Sequence, residues 1–290
     1  MTEVRCVLDI RAELGECPVW CVRDQVLWWV DILKPALNRF NPKTGLNDSW
    51  PMPEDIGCFA LREQGGVVAA LRSGFHFVDV ETGEVTKIVD PDLHRPHTRF
   101  NDGKCDPQGR FWAGTLYELK DKPAAALYRL DPDGTTRRMA GEVVTANGLA
   151  FSTQDKRMYW SDSRAQKVWI FDYDDATGGI SNRRIFLEFK PDEGRPDGAA
   201  IDTEGCYWSA LYEGNRIARF KPSGQLDYTI PMPVRCPTMI AFGGEDFKTL
   251  YITSLRENRS PDELKTFPQS GSIFAVRVDV PGLPEPRFRG

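Results

Sequence analysis

Four polar residues open four similar stretches of this chain, and each has a side chain able to hold a cation or a hydroxyl. Glu16 opens Glu16-Cys17-Pro18-Val19, and Asn101 opens Asn101-Asp102-Gly103-Lys104. Asn147 opens Asn147-Gly148-Leu149-Ala150, and Asp197 opens Asp197-Gly198-Ala199-Ala200. The carboxylates of Glu16 and Asp197 and the amide oxygen of Asn147 make a hard, oxygen-only donor set. Such a set suits one divalent ion: Ca²⁺, Mg²⁺, Mn²⁺, Fe²⁺ or Zn²⁺. An Asn or Asp before Gly is also an ordinary turn former. Recurrence in one register is what raises chemistry above that plainer reading.

The register defines a repeat. Asn101 and Asn147 are 46 residues apart, Asn147 and Asp197 are 50 apart, and Glu16 and Asn101 are 85 apart. The last interval is two units of about 42 to 43 residues, which predicts a unit starting near position 58. Residues 57–61 are apolar there, with a Gly65-Gly66 turn and a second apolar run at 67–71. A sixth unit fits at 237–242, followed by 250–253. Second strands carry tryptophan at 28, 29, 112, 160 and 208, for which packing between units is the default role. Short strands divided by Gly, Pro, Asn and Asp argue for an all-β chain. A four-stranded unit at this period reads as a blade of a β-propeller. Six blades fill positions 1–290 as one domain. Residues 5–10 lack a partner in the first unit and are expected to join the last blade, closing the ring. One helical turn is expected at 262–267. The first strand of each propeller blade lines the central channel, so Glu16, Asn147 and Asp197 are expected at one mouth of it.

Composition narrows the partners. A net charge of −5 and a pI near 5.4 give no basic footprint for nucleic acid. Apolar runs are only a few residues long, so no membrane span is expected. The first residues lack the apolar core of a signal peptide. Seven cysteines then read as reduced thiols in a cytoplasmic protein, and Cys17 and Cys21 as packed side chains. His94 and His97 have a spacing open to zinc, but zinc sites need three or four ligands, which favours a polar loop. No Gly-x-Ser-x-Gly elbow is present.

The motifs Gly15-Glu16-Cys17-Pro18-Val19-Trp20, Arg99-Phe100-Asn101-Asp102-Gly103-Lys104, Asn147-Gly148-Leu149 and Pro196-Asp197-Gly198 together resemble the SMP-30/gluconolactonase/regucalcin family. The resemblance runs from Leu14 to about Val278. It implies a six-bladed propeller with one divalent metal and sugar-lactonase activity. It makes Glu16, Asn147 and Asp197 the metal ligands and Arg99 and Asn101 a substrate-binding pair. It also places an acidic substrate contact in the loop 114–119, with Glu118 as candidate and Leu119 as the alternative.

The residues suit that chemistry. Opening a lactone needs a polarised carbonyl, an activated water and a stabilised oxyanion, and a bound cation supplies the first. Asp197 is the candidate general base. Arg99 and Asn101 offer donors to ring hydroxyls or the oxyanion. The expected protein is a metal-dependent lactonase opening a pentono- or hexonolactone, as a monomer or weak homo-oligomer without nucleic-acid or membrane partners. Two alternatives use the same residues: a calcium- or ligand-binding propeller without catalysis, and a propeller hydrolase acting on organophosphates or aryl esters.

Overall fold

The computed structural model describes residues 3–290. Among them the chain forms six four-stranded antiparallel sheets, the blades of an all-β, six-bladed propeller. Its contacts divide into two compact units.

The unit formed by Met1–Pro51 and Phe189–Pro284 holds three blades. β1 is Arg5–Leu8. The first blade is β2 (Gly15–Cys21), β3 (Val26–Asp31), β4 (Ala36–Phe40) and β5 (Asn47–Pro51). The unit formed by Met52–Glu188 and Glu285–Gly290 holds the next three. These are β6 (Ile56–Leu61) to β9 (Val85–Val89) by way of β7 (Val67–Leu71) and β8 (Gly74–Val78), then β10 (Thr98–Cys105), β11 (Phe111–Tyr117), β12 (Ala125–Leu130) and β13 (Thr136–Val143), then β14 (Ala146–Ser152), β15 (Arg157–Asp162), β16 (Lys167–Asp174) and β17 (Gly179–Glu188). The fifth and sixth blades return to the first unit. They are β18 (Arg195–Ile201), β19 (Tyr207–Tyr212), β20 (Arg216–Phe220) and β21 (Leu226–Pro231), then β22 (Pro237–Gly243), β23 (Thr249–Ser254) and β24 (Ile273–Arg277). Helix α1, Pro261–Thr266, is capped by Ser260 and occupies the expected helical turn.

The N-terminal strand completes the sixth blade. β1 pairs antiparallel with β24, Arg5 opposite Ala275 and Cys6 opposite Phe274. Burial explains the sequence pattern. β6 and β7 are buried throughout and read as continuous apolar runs, whereas β17 is largely exposed and mixed. Neighbouring blades seal through aromatic contacts. Trp20 stacks on Tyr251 at 5.3 Å, and Trp208 meets Phe242 edge-on at 5.6 Å. In the other unit Trp112 meets Phe151 edge-on at 5.5 Å. Two tryptophans also anchor hairpin turns. Asp106 accepts from Trp112 Nε1 (2.9 Å), and Asp202 accepts from Trp208 Nε1 (2.7 Å) while its other oxygen holds the N–H groups of Glu204 and Cys206.

Every innermost strand carries one extra residue near its start. On β2 the interval Glu16 to Val19 faces only Val30 to Trp28. Equivalent shifts lie between Ile56 and Cys58, Phe100 and Gly103, Asn147 and Ala150, Pro196 and Ala199, and Pro237 and Ile240. A bulge re-aims the side chains beside it, and all four residues that open the sequence motifs lie at such a bulge.

Candidate active site

The second unit brings four polar side chains into one line. Arg99 Nη1 donates to Asn101 Oδ1 (3.1 Å) and to the Phe100 carbonyl (2.9 Å). Asn101 Nδ2 donates to Asn147 Oδ1 (2.9 Å) and to the Ala146 carbonyl (3.1 Å). Asn147 Nδ2 donates to Ser163 Oγ (2.7 Å). All four residues are buried. The line has a direction fixed by chemistry. A guanidinium only donates, so Asn101 must turn its oxygen to Arg99 and its NH₂ to Asn147. Asn147 must then present its oxygen to Asn101 and its NH₂ to Ser163. Arg99 thereby sets which atom of Asn147 is the oxygen donor, and that oxygen keeps a second lone pair. Gly148, at φ 61°, makes the bulge beside it.

Asp102 points the other way from Asn101, as strand alternation requires. Its Oδ2 accepts from Leu149 N at 2.9 Å, tying the bulge of β10 to that of β14. Its Oδ1 is buried without a hydrogen-bond partner, and burial pushes its pKa up to about 6. Glu118 follows β11 and is clasped by Arg72, with Nη2–Oε1 at 2.8 Å and Nη1–Oε2 at 3.1 Å. Arg72 also grips Asp55 Oδ2 at 2.6 Å. The Glu118 carboxyl is held below the usual range, first by its hydrogen bonds to Arg72, with the charges of Arg99 and His97 adding to it. Leu119 is exposed. Of the two residues the sequence left open, Glu118 is the one within electrostatic reach of Arg99.

In the first unit, Glu16 on β2 is 8% exposed and accepts from Cys17 N at 3.1 Å. Cys17 takes the left-handed φ of 46° that Gly148 takes in its own blade. Asp197 on β18 is 6% exposed. A Cβ at Gly198 would lie 2.2 Å from Met239 Cγ and 2.8 Å from Met239 Cα. Glycine therefore lets β22 pack against the strand that carries Asp197. Burial and nearby charges, Asp197 among them, push the Tyr212 phenol up to about 12, and its hydroxyl accepts from Arg259 Nη2 at 3.1 Å. Ser163 and Tyr212 were not singled out from the sequence. A hydroxyl at a strand end carries no signal until its neighbour is known.

Among the described residues, no group of three or more His, Cys, Asp or Glu side chains is placed to hold a metal. Asn147 has an amide oxygen held in a fixed direction by Asn101. Glu16 and Asp197 are buried carboxylates, so the donor chemistry fits a hard divalent ion. His94 and His97 are exposed. His76 is buried, bonded through Nδ1 to the Gly74 carbonyl, and burial lowers its pKa, which suits a neutral packed ring.

The chain is thus a six-bladed propeller with buried polar side chains at its inner-strand bulges. The chain belongs to the SMP-30/gluconolactonase/LRE-like family, whose model matches residues 14–256. It is 47% identical over 288 residues to a 6-deoxy-6-sulfogluconolactonase from Pseudomonas putida, covering 99% of each chain. It is 39% identical over 292 residues to regucalcin from Danio rerio, again covering 99% of each. The solved structure of a calcium-binding regucalcin from Agrobacterium tumefaciens superposes with a TM-score of 0.95 at 25% identity, over 100% of this chain and 98% of that one.

Proposed function

We propose that this lactonase opens an aldonolactone to its aldonic acid with one divalent metal, and that Glu16, Asn147 and Asp197 supply the metal's ligands. The observation that carries the reading is the line from Arg99 through Asn101 to Asn147. It orients a buried amide oxygen in a family whose named members include sugar lactonases. When bound, the metal would polarise the lactone carbonyl and acidify a water.

The chain's own residues do the rest. Asp197 takes a proton from the attacking water. Arg99 and Asn101, already aligned, donate to ring hydroxyls or to the oxygen that gains charge. Glu118, kept ionised by Arg72, accepts from a substrate hydroxyl. The 47% identical relative makes a C6-sulfonated gluconolactone the first substrate to test, beside gluconolactone and pentonolactones. All seven cysteines are free thiols, which supports a reducing cytoplasmic setting. No helix of the described residues is long and apolar enough to cross a membrane.

A second reading, cation binding without turnover, draws on the calcium-binding neighbour. The full chain, stripped of metal and then given Mn²⁺, Zn²⁺ or Ca²⁺, is assayed on these lactones. Ring opening above the spontaneous rate supports the first reading. Metal binding without turnover supports the second.

A further inference from the structure

We propose that Asp31 and Asp162 are positioning residues that set Glu16 and Asn147, so that the chain's affinity for a divalent metal depends on both. The inference rests on the metal reading above. β3 ends on Asp31 and β15 ends on Asp162, and both carboxylates are buried. Asp31 Oδ2 accepts from Glu13 N (2.9 Å), and its Oδ1 accepts from Leu14 N (3.1 Å), Leu33 N (3.2 Å) and Lys34 N (3.1 Å). Asp162 repeats this: Oδ2 accepts from Val144 N (2.8 Å), and Oδ1 from Thr145 N (3.1 Å) and Arg164 N (2.9 Å). Each carboxylate thus staples the backbone entering the innermost strand to the turn leaving the second strand. The stapled N–H groups end two residues before Glu16 and two before Asn147.

The device is not a general feature of the blades. It occurs where Gly15 faces Asp31 and where Ala146 faces Asp162, next to Glu16 and Asn147. In the third and fifth blades, Arg99 faces Leu116 and Arg195 faces Tyr212 instead. In the fourth blade the staple reaches further. Ser163 N donates to the Thr145 carbonyl at 3.1 Å, and Ser163 Oγ then receives the Asn147 amide. Losing the Asp162 carboxylate therefore loosens both ends of the Asn147 side chain's support.

The test uses the full chain with Mn²⁺ as the probe, titrated by electron paramagnetic resonance. The melting temperature of the metal-free protein is recorded, and kcat and KM for gluconolactone are measured at limiting and saturating Mn²⁺. Asp31→Asn and Asp162→Asn keep one acceptor oxygen each and lose the charge. Each is expected to weaken Mn²⁺ binding about tenfold or more, with kcat recovering at saturating Mn²⁺. Asp79→Asn removes a similar turn carboxylate with no ligand beside it, and should bind Mn²⁺ like the wild type. Wild-type Mn²⁺ affinity in either staple variant, with or without a lower melting temperature, overturns the inference. If the wild type itself binds no divalent ion, the metal reading falls and this inference falls with it. Should a variant not fold, Asp31→Ser or Asp162→Ser takes its place, keeping one oxygen acceptor; unchanged Mn²⁺ affinity in the folded variant overturns the inference.

Discussion

Replacing Asn101 by Asp changes one NH₂ to an oxygen, and the bonds around it say what must follow. The two bonds donated by Nδ2, to Asn147 Oδ1 at 2.9 Å and to the Ala146 carbonyl at 3.1 Å, become oxygen–oxygen contacts. Losing two neutral hydrogen bonds costs about 2 kcal/mol. The bond from Arg99, already charge-assisted, becomes an ion pair and offsets about 1 kcal/mol of that. A net loss of about 1 kcal/mol lowers the melting temperature by only about 2–4 °C. The functional effect is larger. Asn147 escapes the clash by turning its amide over, donating to the new carboxylate. Its oxygen then faces Ser163, whose hydroxyl can donate as readily as accept. The turned amide presents nitrogen where oxygen stood, and Mn²⁺ affinity should fall at least tenfold. Calorimetric titration with Mn²⁺ beside a melting curve reads both quantities. Unchanged or tighter Mn²⁺ binding in Asn101→Asp would mean that Asn147's orientation is not set through Asn101.

Three further outcomes follow. Asp197→Asn should fold normally and, at saturating metal, turn over about 10²- to 10⁴-fold more slowly; near-wild-type kcat would return Asp197 to the status of a turn residue before Gly198. Removing residues 1–12 deletes β1 and exposes the edge of β24, so the melting temperature should fall sharply, and an unchanged value would contradict the pairing of β1 with β24. Asp102 has a folded pKa of about 6, above its ordinary 3.8. A raised acid favours the folded state fully below the ordinary pKa and loses that contribution as pH rises through 6, on the order of 3 kcal/mol by pH 7. Urea unfolding of Asp102→Asn against wild type should therefore show the variant gaining relative stability from pH 5 to pH 7; a pH-independent difference would show that the buried carboxyl is not protonated at the lower pH.

Much of the fold was legible because the repeat is written twice, in apolar strands and in turn residues. The spacing of Glu16, Asn101, Asn147 and Asp197 located the innermost strands, and the gap before Asn101 located the second blade. The unpaired N-terminal strand found its place for want of another partner. The bulges were not legible. One extra residue in a run such as Phe100-Asn101-Asp102-Gly103 changes no periodicity that can be counted. Nor was the tail. Phe288 is buried, its N–H bonded to the Leu61 carbonyl, yet no pattern announces it because it joins no strand. The ends of the second strands did carry a signal. Trp-Val-Asp31 and Trp-Ser-Asp162 stand at matching places in their units, and reading the repeat for acids as well as for tryptophan would have found them. Ser163 required the neighbouring amide, and so required the structure.

Lactone opening by this chain should depend on a divalent ion. Gluconolactone and its C6-sulfonated form are followed with protein stripped by chelator, before and after Mn²⁺ is restored. Expected are the spontaneous rate for stripped protein, recovery with added Mn²⁺, and no recovery in Glu16→Gln at the same Mn²⁺ concentration. Full turnover by stripped protein, or full recovery in Glu16→Gln, would contradict that dependence.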